Sequence, residues 1–400
     1  MDGLYEIRKK LHKTPEMAYN EFKTQQIVMD ELYAFNELKL TRFEPTGLLY
    51  VYNHGDGEYL LFRADMDALP IQENTDCDFQ SESKGFSHAC GHDIHITVLI
   101  GLIKYVVENK LKINILFFFQ PAEEGHGGAM HIIKTGVFDK YKIKNAFALH
   151  VTGAYPTGTI GIKSGIIFAI PQEFDIEFIG KSGHVSMPHK GRDSYLAAMS
   201  FYKDIKELIT VKFPAQEPIL FHVGKVNAGT VRNIIPEYCR YEGTFRCLSK
   251  EIKEDIKALM YLVAKSIELS HDVEVKINLL SSYDPVVNDE NVVNKLIKQL
   301  PTTIKIVEVE YSMTGEDFGF FSGMYPSVLF WLGTNCDEDL HSSKFLPDEK
   351  CIDIALDVYK SILLSLHENN IPTVGAMSSS PVNSGHGDMS PTNVHFHSRR

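Results

Sequence analysis

Four apolar runs limit what this chain can fold into: EYLLFRADMD (58–67), KINILFFFQP (112–121), NAFALHV (145–151) and SVLFWLG (327–333). Nearly continuous apolar strands of this length belong in the middle of a sheet covered on both faces. Segments with helical character alternate with them, at 4–12, 21–35, from near Asp93 onward, and 350–367. Strands and helices in alternation predict an α/β fold around a mixed sheet. The chain has 400 residues, 44% of them apolar, enough for two domains or one large one.

From about Phe168 the texture changes. QEFDIEFIGKSGH alternates apolar and polar residues, as a sheet with one wet face does. A helix (193–210), strands (218–226 and 238–247), a second helix (249–270) and a last strand (273–280) follow. That β-α-β-β-α-β order predicts a ferredoxin-like α+β insertion at 168–282. It would interrupt a catalytic domain formed by 1–167 and 283–370. Residues 371–400 are rich in Ser, Pro, His and Gly without periodicity and are expected to form a disordered tail.

Composition removes several function classes. The balance of 40 basic and 52 acidic residues gives a net charge of −12, so nucleic acid is not an expected partner. The apolar runs are too short to span a membrane, and the first residues lack the apolar core of a secretory signal, so a cytoplasmic location is expected. Six cysteines without a CxxC pair make a disulfide framework improbable.

Ligands of open α/β sheets sit beyond the carboxyl ends of the strands. Residues able to bind a cation collect at those places here. Asp65 and Asp67 end one run, Glu123 and Glu124 follow another, and His150 ends a third. Cys90 and His92 stand just before a helix, and His341 lies eight residues past SVLFWLG. Each has an ordinary reading. Asp65 alone is a turn or cap residue, paired glutamates are a solvated patch, and a lone Cys or His is a core residue. Their recurrence at successive strand ends is what weighs against those readings.

Thiolate, imidazole and carboxylate are the ligands of zinc-like cations. Cys90, His92, Glu124, His150 and His341 suffice for two metals with one bridging ligand, leaving Glu123 free as a proton carrier. The helix-start position of Cys90 is expected to favour its thiolate. Gly125, Gly127 and Gly128 suggest a bare, flexible loop that lets backbone approach a ligand. His95 is expected to pack or cap, and His126 and His131 to lie on the surface. The tail histidines 386, 395 and 397 have no scaffold. Rival motifs fail: GKS at 180–182 lacks the upstream phosphate-loop glycine, and neither GxSxG nor HExxH occurs.

The stretches RADMDALPIQE, HACGHDIH, FQPAEEGHGGA, GKSGHVSMPHKGRDS, GTVRNIIPEYCRYEGTFR, TGEDFG and LHSSKFLPDE resemble metallopeptidase family 20, in its amidohydrolase branch. The resemblance spans about residues 8–350. It implies a dinuclear site with divalent ions (Zn, Mn, Co or Ni) held by the five ligands above, with Glu123 as proton acceptor. Asp67 would assist catalysis by orienting a metal ligand. His184 would come from the inserted domain, and could belong to a partner subunit, to polarise the scissile carbonyl. Asn233 and Arg246 would contact substrate, although Arg246 also reads as a strand-surface ion pair.

The implied substrate is a small N-acyl amino acid. EFKTQQ, MTGEDFG and FWLG narrow the expectation to removal of acetate from acetylated diaminopimelate, on a route to lysine. General aminoacylase, aminobenzoyl-glutamate hydrolase and dipeptidase activities are the alternatives, and a non-catalytic metal-stabilised binder is the alternative of another class. The inserted domain is expected to make a homodimer or homotetramer.

Overall fold

The computed structural model describes residues 2–367. The region 371–400, expected to be a tail, lies outside them. The main body is built on an eight-stranded mixed sheet. Its order is Leu38–Arg42, Leu48–Tyr52, Asn114–Gln120, Tyr59–Asp65, Ile143–Thr152, Ser327–Gly333, Thr159–Ile162 and Lys305–Glu308. The four central strands, 114–120, 59–65, 143–152 and 327–333, run parallel. They are the four apolar runs of the sequence, and their carboxyl ends all face one edge.

Both sheet faces are covered, which is why the runs do not alternate. Phe117, Phe118 and Phe119 are consecutive and fully buried. Phe117 and Phe119 join a core with helices Asp2–Lys13, Phe22–Leu32, His92–Glu108 and Cys351–His367. Phe118 packs on the other face with Phe138 and Phe321. Full burial of each such side chain contributes on the order of 1.5–3 kcal/mol. Helix His92–Glu108 is apolar almost all round and buried along nearly its whole length, so it forms a central pillar rather than an amphipathic cover.

A second sheet, of order 220–228, 238–247, 170–179, 274–282, is antiparallel throughout. Helices Ser194–Lys212 and Lys250–His271 pack on one face of it over their own core. Strand 170–179 alternates buried and more exposed positions along its length, the pattern of a sheet with one wet face.

Several elements were not anticipated. Strand Leu38–Arg42 has no fully buried residue, and strand Thr159–Ile162 contains two glycine-flanked positions in only four residues. Neither carries a period long enough to read. Helix Glu290–Gln299 was also missed, although Asp289 caps it by accepting the Val292 N–H. Among the described residues no helix is long and apolar enough to cross a membrane.

Candidate metal centre

Backbone turns at the carboxyl edge of the sheet bring the cation-binding residues together. Cys90 and His92 flank Gly91, which has φ +77°, and a Cβ there would lie 2.4 Å from Val151 Cγ2. Only glycine lets this loop lie against the strand that carries His150. Ala122, just before Glu123, has φ +56°, and His341 has φ +66°. Left-handed backbone at such residues is costly and persists where the surroundings hold it. Here His341 N–H donates to the Ala89 carbonyl at 2.9 Å. Ala122 N–H donates to the buried Glu21 carboxylate at 2.8 Å.

The glycines after Glu124 do not form a bare flexible loop. Gly128 opens a short helix, and a Cβ on it would lie 1.8 Å from the Pro121 carbonyl oxygen. Gly128 N–H also donates to the Ala122 carbonyl at 2.9 Å. The segment is a tight return in which Gly128 serves chain packing, while Gly125 (φ +77°) and Gly127 (φ +63°) supply the left-handed turns that lead into it.

Among the groups whose donor atoms lie within 4.8 Å of one another are Cys90–His92–His150, Cys90–Glu124–His341 and His92–Glu123–Glu124. The five residues expected as ligands are therefore one cluster, with Cys90 shared by two triads and Glu123 beside them. The ring nitrogens are set for this. His92 Nδ1 donates to the Asp67 carbonyl at 2.8 Å, and His150 Nδ1 donates to the Val151 carbonyl at 2.8 Å. Each ring then turns Nε2 inward. His150 Nε2 is 3.4 Å from Cys90 Sγ. Asp67 Oδ2 accepts the Glu124 N–H at 2.9 Å and so links two ligand-bearing loops.

The donor set fits cations. Asp67 Oδ1 and His92 Nε2 are buried without a hydrogen-bond partner among the described residues. Glu124 Oε1 lacks one as well and stands 3.5 Å from His341 Nε2. Unpaired buried atoms are expensive unless something binds them. Burial, and then the carboxylates of Glu316, Glu124 and Asp317, push Glu123 well above the usual carboxylate range. Burial pulls His150 down to about 4, leaving the neutral ring that a metal requires. Cys90 departs from expectation. Burial and the carboxylates of Glu124 and Glu123 push its thiol up, which outweighs the helix start. A thiolate at this position needs a cation beside it.

Behind the cluster lies a charged network that the sequence reading missed. Arg63, fully buried, donates to Asp65 at 2.8 Å, Gln120 at 2.9 Å and Asp317 at 2.7 Å, and pairs with Glu316 at 3.1 Å. Asp65 is thus no turn residue. Burial opposes its charge, yet Arg63 and the neighbouring histidines outweigh that and hold it well below the usual range. His95 neither caps nor merely packs. Its Nδ1 donates to Asp65 at 2.6 Å, and its Nε2 accepts the Val151 N–H at 3.1 Å. The available signals were an arginine inside YLLFRAD and an acidic pair inside GEDFG, since both demand partners once buried. His126 and His131 are exposed, as expected.

A cavity of about 250 Å³ opens onto Cys90, Glu123, Glu124 and His150, with Phe168, Trp331 and the 312–315 segment among its walls. Arg246 stands at its border. The guanidinium donates to the Met313 carbonyl at 3.2 Å rather than to a carboxylate. His184 and Asn233 lie elsewhere in this chain. Exposed His184 is on the two-residue strand 183–184, which pairs with 234–235, and Val185 N–H donates to the Asn233 carbonyl at 3.3 Å.

Thiol, imidazole and carboxylate donors at strand ends, with a spare buried glutamate, define a metal-dependent hydrolase centre. The model of peptidase family M20/M25/M40 matches residues 61–365, and the chain belongs to that family, as a hydrolase of amide bonds. A Bacillus subtilis N-acetyldiaminopimelate deacetylase is 37% identical over 90% of this chain and 97% of its own. One from Lactobacillus acidophilus is 38% identical over 90% and 97%. A Bacillus subtilis structure described as a dinuclear metal binding peptidase of the M20 family is 28% identical. It covers 92% of this chain and 98% of its own, with a TM-score of 0.78.

Proposed function

We propose that this protein removes the acetyl group from N-acetyl-L,L-diaminopimelate, giving acetate and L,L-diaminopimelate for lysine synthesis, in the cytoplasm. The observation that carries the hydrolytic reading is the convergence of five ligand-type residues with Glu123 left beside them. The names of the curated relatives supply the substrate. Cys90, His92, Glu124, His150 and His341 would hold two divalent ions, Zn, Mn, Co or Ni. Such ions polarise an acyl carbonyl and make water acidic enough to attack at neutral pH.

Glu123 accepts the proton of the attacking water at a carboxylate oxygen. The water oxygen bonds to the acyl carbon, the C–N bond breaks, and Glu123 returns the proton to the departing amine. Its backbone is held by the Tyr283 hydroxyl, which donates to the Glu123 carbonyl at 2.7 Å. Asp317 N–H approaches Glu123 Oε1 at 3.4 Å and helps aim the carboxylate. Asp67 holds His92 and the Glu124 backbone in place. Arg246 grips a substrate carboxylate. His184 and Asn233 act from the 168–282 unit, which serves as lid and dimer contact. His184 of a second copy, in a homodimer or homotetramer, donates to the carbonyl oxygen.

Acetate release from N-acetyl-L,L-diaminopimelate by protein loaded with Zn, Mn, Co or Ni tests the reading, with N-acetyl-methionine and aminobenzoyl-glutamate alongside. Preference for the first substrate supports it. Turnover of only the others keeps the chemistry and discards the substrate.

A further inference from the structure

The cavity beside the metal centre has an uneven charge budget. Its lining includes the carboxylates of Glu123, Glu124 and Asp339, and no lysine or arginine among the described residues. Glu124 belongs to the ligand cluster, and Glu123 passes through a protonated state during each turnover. Asp339 has neither task. Its carboxylate accepts no hydrogen bond and makes no ion pair among the described residues, whereas neighbouring Glu338 is engaged by the Ser342 hydroxyl at 2.7 Å. An exposed carboxylate without a protein partner among the described residues is therefore left on the wall of the substrate cavity.

The backbone that carries Asp339 is held in place. The Asp339 carbonyl accepts the Ser342 N–H at 3.1 Å, and His341 N–H is tied to Ala89 at 2.9 Å. Asp339 thus sits on a pinned turn two residues from a proposed ligand, so the two Cα atoms are within about 7 Å. Two other features of the wall suit a cation. Trp331 and Phe168 line the same cavity with ring centroids 4.8 Å apart, and aromatic faces attract ammonium groups. The hydroxyls of Ser312 and Thr314, 2.6 Å from each other, supply further polar lining.

We infer that Asp339 is a specificity-determining residue that receives the distal ammonium of a diamino acid leaving group. The inference deepens the deacetylase reading and rests on it for the placement of the scissile amide. An uncharged tail would gain nothing from Asp339, and an anionic tail would be repelled by it.

Nα-acetyl-L-lysine and Nα-acetyl-L-norleucine differ at the distal end by the ammonium group, which makes them the discriminating pair. The wild-type protein should favour the lysine substrate by roughly ten- to a hundred-fold in kcat/KM, mainly through KM, the range of a charge-assisted contact. Asp339→Asn should bring the ratio close to one, and Asp339→Glu should restore a preference. A preference that survives in Asp339→Asn, or is absent from the wild type, overturns the inference.

Calorimetric titration of the metal-loaded protein with free L-lysine and L-norleucine reads the same contact without turnover. Lysine should bind more tightly to the wild type and lose that advantage in Asp339→Asn; equal binding of both to the wild type also overturns it. Absence of acetate release from N-acetyl-L,L-diaminopimelate, with the lysine advantage intact, would instead count against the substrate reading alone.

Discussion

Two buried polar clusters lie back to back at the carboxyl edge of the sheet, and they are built on opposite principles. In the rear cluster the charged atoms find protein partners. Arg63 is shared among Asp65, Gln120, Glu316 and Asp317, and His95 bridges Asp65 to a backbone N–H. In the front cluster Asp67 Oδ1 and His92 Nε2 have no hydrogen-bond partner among the described residues, only longer ion-pair contacts at 3.4 Å (Asp67 to His92) and 3.6 Å (His92 to Asp65), while Cys90, His150 and Glu124 crowd around the same space. A buried charge is tolerated when it is compensated. The rear is compensated by the fold itself, and the front presents a donor set that cations would compensate. On the proposed function the rear network is scaffold and the front is chemistry, although both draw on the same residue types.

The largest expected effect separates chemistry from scaffold inside the front cluster. Glu123→Gln should lower kcat by about 10²–10⁴-fold. Metal content by elemental analysis and the thermal midpoint should stay near wild type. Wild-type turnover in this variant would refute the assignment of Glu123 as proton carrier.

Next, Arg63→Met strips the rear cluster of its guanidinium and leaves Asp65 and Asp317 uncompensated. Urea unfolding should report a loss of about 3–5 kcal/mol. A loss below about 1 kcal/mol would mean that the two clusters are not the distinct constructions described above.

Chelation addresses the front cluster alone. Removing the ions should lower stability by about 2.7 kcal/mol for each ion lost, relative to protein at a free-ion concentration near 100 times Kd. The unfolding midpoint should rise again on adding back Zn or Mn. An indifferent midpoint would show that the unpaired front atoms are satisfied without cations.

A smaller effect tests the rear histidine by pH. Burial pulls His95 down to about 4 from an ordinary 6.5. Its folded value is thus the lower one, so its contribution to stability is full above about 6.5 and is lost as pH falls toward 4. The sign follows because the unfolded chain takes up the proton first. Unfolding free energies of metal-free wild type and His95→Gln should therefore differ by an amount that drifts against the wild type across that window. The limiting slope is about 1.4 kcal/mol per pH unit. A pH-independent difference would show that His95 is charged in the fold.

The smallest effect is a control at the edge of the comparison. His126 shares the loop of Glu124 but is exposed. His126→Ala should shift stability by no more than about 0.5 kcal/mol and leave metal content unchanged.

The ligand-type residues of the front cluster were legible because each follows an apolar run or opens the pillar helix. A sheet delivers the ends of its parallel strands to one edge, so residues at 90–92, 123–124, 150 and 341 meet whatever the details of packing. The rear cluster was not legible in the same way. Asp65 and His95 look like a turn residue and a helix residue, and their partner Arg63 only acquires meaning when Asp317, some 250 positions away, is folded against it. Gly128 was misread for a related reason. What it avoids is the Pro121 carbonyl, and no local pattern announces a contact made by a chain doubling back.

Hydrophobic period and the residues at strand ends are local properties, and from them the sequence by itself determined the α/β class, the alternating second sheet and which ligand-type residues converge at the sheet edge. Tertiary structure alone decided which buried charges are paired and which are left open. It also decided that Cys90 needs a cation to ionise and that Asp339 stands unpaired on the cavity wall. Those are questions of solvation and of distances between segments remote in sequence, and burial sets their energies only once the chain has closed around them.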